Sequence, residues 1–211
     1  MKKIHYYFGW FTKTIPQKLA DMLNIELVGK KSLVAISTAP DDAPGSDSIM
    51  AFVKDVWFEP AGVVFQEYHS IDYRVNKNEA ADLIKNASAI LLHGGKEIGL
   101  REFIEEYGLQ EAIGQSSAPV IMGGSAGGMN MGAKFTYNDY DKVYDGLALD
   151  NLMFTPHAVE KELENETKFI TLSNDLDVYA GCEESALRIE GDDITVIGDV
   201  FKISKGKIIK I

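Results

Sequence analysis

The stretch Ala118–Asn130, APVIMGGSAGGMN, decides how the rest of the chain is read. Pro119-Val120-Ile121-Met122 is a short apolar run of the kind that forms a buried strand. It breaks into Gly123-Gly124-Ser125-Ala126-Gly127-Gly128 and resumes with residues able to start a helix. Strand, glycine-flanked serine and helix make the pattern of a nucleophile elbow, in which a sharp turn lifts a serine hydroxyl above the end of a sheet. Gly123, Ser125 and Gly127 hold the fixed places of G-x-S-x-G. A strained turn brings backbone against backbone, where a Cβ would clash. Glycine-rich turns between strand and helix also bind phosphate or merely connect two elements. Partners elsewhere in the chain must therefore carry the assignment.

Working outward from the elbow, strands alternate with helices. Ala89–Leu92 reads as a strand ended by His93-Gly94-Gly95-Lys96, Ser32–Thr38 as a buried strand followed by the polar loop Ala39–Ser46, and Val63–Gln66 and Lys3–Phe8 as two more strands. Helical spacing is found in Gln17–Leu27 behind Pro16, and in Ile49–Trp57 with Ser46 as its cap. It recurs in Asn78–Asn86, capped by Asn78, and in Arg101–Gly108 and Leu109–Ile113. This order predicts a three-layer α/β fold with a mostly parallel, doubly wound sheet and chemistry at the strands' C-terminal ends.

Beyond Met131 the texture changes. Phe135–Gly146 is polar and aromatic, long for a mere connector. Leu152–Thr155 reads as a strand ended by Pro156-His157, and Glu160–Lys168 as a charged helix. Ala186–Ile189, Ile194–Ile197, Val200–Ile203 and Lys207–Ile211 are split by turn residues, which predicts antiparallel hairpins at the C-terminus. No repeat or linker divides the chain, so residues 1–211 are expected to form one domain.

Composition narrows the function classes. The chain has 21 Lys and Arg against 32 Asp and Glu, a net charge of −11 that would repel nucleic acid. One cysteine, Cys182, precludes an intrachain disulfide and suits a reducing, cytoplasmic setting. No apolar run is long enough to span a bilayer, and the N-terminal apolar run, interrupted by His5, Gly9 and Lys13, does not make a signal peptide. No metal or cofactor is expected, and a homodimer stays open because nothing in the sequence fixes the oligomeric state.

A serine hydroxyl needs a base within hydrogen-bond reach, and histidine is the usual one. Of His5, His69, His93 and His157, the first lies in a strand and the second in a loop away from any strand end. His93 and His157 both follow strands, and the rigid Pro156 before His157 favours the latter. An acid must then orient the imidazole. Asp139, Asp141 and Asp145 in the long loop, and Glu183 and Glu184 before the β-rich tail, all qualify by position. Backbone N–H groups of Ala126 and of the Gly94-Gly95 turn are candidates for an oxyanion hole.

Four segments in this order, HGGK at His93–Lys96, GGSAGGMN at Gly123–Asn130, Pro156-His157 and GCEESALRIEGDDITVIG at Gly181–Gly198, resemble the dipeptidase E (aspartyl dipeptidase) family of serine peptidases, to which cyanophycinase is related. The resemblance implies a fold like that of class I glutamine amidotransferases. It also implies Ser125 as nucleophile, His157 as base, and an acid between them at Asn138-Asp139, with Gly95 giving the second oxyanion N–H. Asp139 is thus the expected acid, and Asp141 and Glu183 are the alternatives. Two positions depart from the family: Lys96 stands for an asparagine, and no arginine follows His157 in Ala158–Lys168. A preference for an N-terminal aspartate is therefore not implied.

The expected activity is a serine peptidase on short peptides. An esterase or amidase on the same residues, or a binding protein that keeps the fold without turnover, are the other readings.

Overall fold

The computed structural model describes residues 3–27, 29–136, 142–163 and 167–211. Its centre is a row of parallel strands in the spatial order β1-β5-β4-β2-β3: β1 (Ile4–Phe8), β2 (Ser32–Ile36), β3 (Glu67–Ile71), β4 (Ala89–Leu92) and β5 (Val120–Gly124). All positions of β1, β2, β4 and β5 are buried, as a sheet covered on both faces requires. Successive side chains alternate between two cores. Tyr6, Phe8, Leu33, Ala35, Leu91 and Met122 enter one. Tyr7, Val34, Ile36, Leu92 and Ile121 enter the other.

Helices cover both faces. On the first lie α1 (Gln17–Glu26), α2 (Ala43–Phe52) and a π-helical turn at Val53–Phe58, which insert Leu19, Leu23, Met50, Trp57 and Phe58. On the second lie α3 (Lys77–Asn86), α4 (Glu97–Tyr107), α5 (Leu109–Gln115) and α6 (Ala126–Met131). They contribute Ile84, Leu100, Phe103, Ile113 and Met131. Each fully buried side chain of this size is worth about 1.5–3 kcal/mol.

The second half does not simply extend this sheet. A separate six-stranded sheet is built from β6 (Gly132–Thr136), β7 (Val143–Asp145), β8 (Asp150–Thr155) and β9 (Val178–Gly181), together with a hairpin described next. The C-terminal hairpins divide between the sheets. β10 (Ala186–Glu190) and β11 (Asp193–Ile197) pair antiparallel and join the first sheet beside β1. β12 (Val200–Ser204) and β13 (Lys207–Lys210) pair antiparallel and join the second beside β9. Within the second sheet β6, β8 and β9 run parallel. The hairpins are as expected, but the expected single doubly wound sheet is corrected to a mixed α/β fold with two sheets. One face of the second sheet shares the core of the first through Tyr7 and Phe154, whose rings lie 5.4 Å apart. Its other face packs Met153, Val178 and Phe201 on Leu163 of α7 (Glu160–Leu163) and Phe169 of α8 (Thr167–Leu172).

Three local expectations are also corrected. The strand expected at Val63–Gln66 lies at Glu67–Ile71, which includes His69; as an edge strand it needs no apolar run. The second helix is capped by Asp42, whose carboxylate accepts from the Gly45 N–H at 3.0 Å, while Ser46 Oγ donates to the buried Ser37 Oγ at 2.8 Å. The third is capped by Asn76, which accepts from the Glu79 N–H at 3.1 Å, so Asn78 lies inside its first turn.

Candidate active site

Ser125 stands between β5 and α6 with φ 48° and ψ −113°, a backbone conformation that a non-glycine residue adopts only under constraint. Its N–H donates to Phe8 O at 3.0 Å, tying the turn to the end of β1. The flanking glycines are fixed by contact. A Cβ on Gly127 would stand 2.0 Å from Leu92 O, and one on Gly123 would stand 2.5 Å from Gly128 N. The strand–turn–helix context that the motif needs is therefore present.

His157 follows β8 after Pro156 and also has a positive φ, 58°. The next residue, Ala158, donates its N–H to Gly181 O at the end of β9. The imidazole Nε2 lies 2.7 Å from Ser125 Oγ, and Nδ1 lies 2.6 Å from Glu183 Oε1. With the proton on Nδ1, the ring donates to the carboxylate and accepts from the serine hydroxyl. Serine, imidazole and carboxylate thus form one hydrogen-bonded chain drawn from the C-terminal ends of β5, β8 and β9.

The Glu183 loop is held by its backbone. Glu184, with φ 58°, donates its N–H to Trp10 O at 2.8 Å, and its Oε1 accepts from Thr12 N and Oγ1 at 2.9 and 2.6 Å. Ser185 O accepts from Gly9 N, and Ser185 Oγ donates to Cys182 O at 2.6 Å. The single thiol, Cys182, is half-buried, and its pKa is raised by burial. The side chains of His157 and Glu183 are 46% and 50% exposed, so the site opens to solvent.

The turn after β4 closes the site from the other side. Gly94 packs so near the elbow that a Cβ there would lie 3.4 Å from Ser125 Cβ. Gly95 has φ 130°, open to glycine alone, and Thr38 Oγ1 donates to Gly94 O at 2.9 Å.

The other sequence candidates lie apart from this chain of contacts. His93 is buried, neither ring nitrogen has a partner among the described residues, and burial lowers its pKa to about 4. His5 pairs with Asp150 at 2.8 Å, and His69 with Glu67 at 3.2 Å. Asp145 in β7 pairs with Lys134, which holds its carboxyl below the usual range. Asn138, Asp139 and Asp141 fall outside the described residues. The segment Gly9–Thr12, which touches both the elbow and the Glu183 loop, was not singled out from sequence. Its signal is the pair Trp10-Phe11 directly after a strand that ends at the same edge as the elbow.

Among the described residues no group of three or more His, Cys, Asp or Glu is arranged to hold a metal, and no helix is long and apolar enough to cross a membrane.

Solved structures that share the architecture include two peptidases. A peptidase from an acI-B1 Actinobacterium superposes with a TM-score of 0.76 at 17% identity, covering 100% of this chain and 98% of its own. A candidate peptidase E from Listeria monocytogenes EGD-e gives 0.62 at 14% identity, covering 93% and 98%. No curated protein sequence matches the chain. At these identities the structures establish the fold alone. The sequence model of peptidase family S51, in contrast, matches residues 12–197, and the chain belongs to that family of peptidases.

Proposed function

We propose that the chain is a serine peptidase that cleaves short peptides through an acyl-enzyme. The observation that carries this reading is the continuous contact from Ser125 Oγ through His157 to Glu183 Oε1, at 2.7 and 2.6 Å. Ser125 Oγ attacks the scissile carbonyl carbon while His157 Nε2 takes its proton. The N–H groups of Ala126 and Gly95 receive the oxyanion, a role supported by the elbow geometry and by the packing of the Gly94-Gly95 turn on Ser125. As the tetrahedral intermediate collapses, His157 returns the proton to the leaving amine. A water, deprotonated in turn by His157, attacks the ester carbonyl and releases the acid and free Ser125.

Glu183 keeps the Nδ1 tautomer and stabilises the imidazolium that forms at each step. Its 2.6 Å contact favours it over Asp139 and Asp141, the acids in the 137–141 segment. The core sheet order is compatible with a class I glutamine amidotransferase-like arrangement, and the lone cysteine with work in the cytoplasm.

A fluorophosphonate probe tests the assignment directly. The wild-type protein is expected to take up one phosphonyl group on Ser125, read by intact mass and peptide mapping, and Ser125→Ala is expected to take up none. Labelling that persists in folded Ser125→Ala removes Ser125 from the role.

A further inference from the structure

The elbow has an aromatic neighbour on the face opposite the histidine. His157 and Glu183 reach Ser125 from the second sheet, whereas Trp10, just past β1, packs with the core that lies on the other face of the first sheet. A Cβ built on Gly94 would stand 2.7 Å from Trp10 Cζ3, and one built on Gly124 would stand 3.3 Å from the same atom. The edge of the indole therefore lies against both glycine turns that frame Ser125.

This indole is fixed in place. Its ring stacks on Phe52, with centroids 6.0 Å apart and planes 2° from parallel, and meets Trp57 edge-on at 4.8 Å. Trp57 is buried and anchored by its Nε1–H to Phe11 O at 2.7 Å. Trp10 and Phe52 are only half-buried, so part of this stacked pair stays open to solvent, with Trp10 at the turns that frame Ser125. Such a pair rewards an apolar partner by area burial and by ring packing.

The charges nearby point the same way. Glu183 and Glu184 lie on the loop that bonds to Trp10 and Thr12. The arginines are engaged elsewhere: Arg74 with Asp47 and Asp72, Arg101 with Glu105, and Arg188 with Glu26 and Glu190. A substrate carboxylate at this wall would meet apolar rings and two like charges, with no guanidinium to receive it.

We propose that Trp10, backed by Phe52 and Trp57, is the specificity wall for the acyl side of the scissile bond, and that it selects aromatic or branched aliphatic residues there over aspartate. The proposal rests on Ser125 being the nucleophile. Its test separates the two ideas by using probes that need no turnover.

A small alkyl fluorophosphonate reports on Ser125 itself. Peptidyl diphenyl phosphonates that carry a benzyl, isobutyl, methyl or carboxymethyl group at the acyl-side position report on the wall, as second-order labelling rates. Benzyl and isobutyl probes are expected to label Ser125 at least about tenfold faster than the carboxymethyl probe. In Trp10→Ala the benzyl-to-methyl rate ratio should fall by about tenfold, a ratio that general weakening of the site would not move. Trp10→Leu, which keeps an apolar filler against Trp57, should give a smaller fall and covers the case in which the alanine variant does not fold. Fastest labelling by the carboxymethyl probe, with Lys96 rather than Trp10 then the specificity residue, overturns the proposal, as does an unchanged ratio in both variants. If the alkyl fluorophosphonate also fails to label Ser125, the underlying nucleophile assignment has failed instead.

Discussion

Acidification should destabilise the protein through His93. The ring is 1% exposed, neither nitrogen has a partner among the described residues, and burial lowers its pKa from 6.5 to about 4. The unfolded chain accepts a proton near pH 6.5, while the folded chain refuses it until about pH 4. Between these values unfolding takes up a proton, so stability falls as the pH drops through this window and levels off below it. At 1.36 kcal/mol per unit, the gap corresponds to a loss on the order of 3 kcal/mol.

Glu97 titrates with the opposite sign, since burial raises its pKa, so the raw pH profile mixes the two. Urea unfolding of the wild type and His93→Leu, at several values from pH 4 to 8, isolates the histidine as a difference curve. The wild type should lose about 3 kcal/mol relative to the variant across the window. At pH 8 the substitution should be close to neutral or stabilising, because it removes a donor and an acceptor that the fold leaves unpaired. A flat difference curve would refute the reasoning, and would mean that the native imidazole titrates like that of the unfolded chain, as it would if it reached solvent. A ring that resists protonation to about pH 4 also makes a poor general base at neutral pH, which agrees with the proposed use of His157 rather than His93.

Other perturbations follow from particular contacts. Glu183→Gln should lower kcat by roughly 10²- to 10⁴-fold with little change in KM, because it removes the charge that stabilises the imidazolium while keeping the shape; kinetics on a cleaved peptide, or labelling rates, measure it. Gly127→Ala puts a methyl group 2.0 Å from Leu92 O, backbone against backbone, and should cost more than about 3 kcal/mol in urea unfolding and abolish labelling of Ser125. Arg188→Met leaves the Glu26 carboxylate, 10% exposed, without its cationic partner and with only the Tyr6 O–H at 2.6 Å, and should cost about 3 kcal/mol. Adding Glu26→Gln should recover a large part of that loss, and a double mutant no better than the single one contradicts the ion-pair account.

The legible parts of this chain are those whose physics is local. Gly123-x-Ser125-x-Gly127 announces itself because only glycine fits where backbone meets backbone, and Gly94-Gly95 because Gly95 has a φ of 130° and both pack against side chains; both turns lie where the sequence puts them. The division into two sheets was hidden. β6 is Gly132-Ala133-Lys134-Phe135-Thr136, with no apolar run, and it pairs in parallel with β8, a strand that starts 14 residues after β6 ends. Pairing at that distance leaves no periodic mark. The same limit applied to the acid, where position admitted five carboxylates. Only the fold puts Glu183 within 2.6 Å of His157, and it does so from the loop after β9, the strand that pairs beside β8.

That distance matters because exposed carboxylates and imidazoles do not stay paired through attraction alone. Glu183 and His157 are each about half in solvent, where an ion pair is worth little and side-chain entropy opposes it. The alignment must come from the backbone. The end of β1 and the residues just past it supply it: Phe8 O holds the Ser125 N–H, while Gly9 N and Trp10 O hold Ser185 and Glu184, the two residues that follow Glu183. One short segment thus sets Ser125 and the Glu183 loop in the same frame. A Cβ on Gly9 would stand 1.9 Å from Cys182 O, so the two segments pack backbone against backbone there, one residue before Glu183. Trp10 sits in the middle of that segment. The residue proposed to choose the substrate is therefore part of the strut that aligns Ser125 with Glu183, and the ratio of two labelling rates, rather than either rate alone, is what distinguishes selection from alignment.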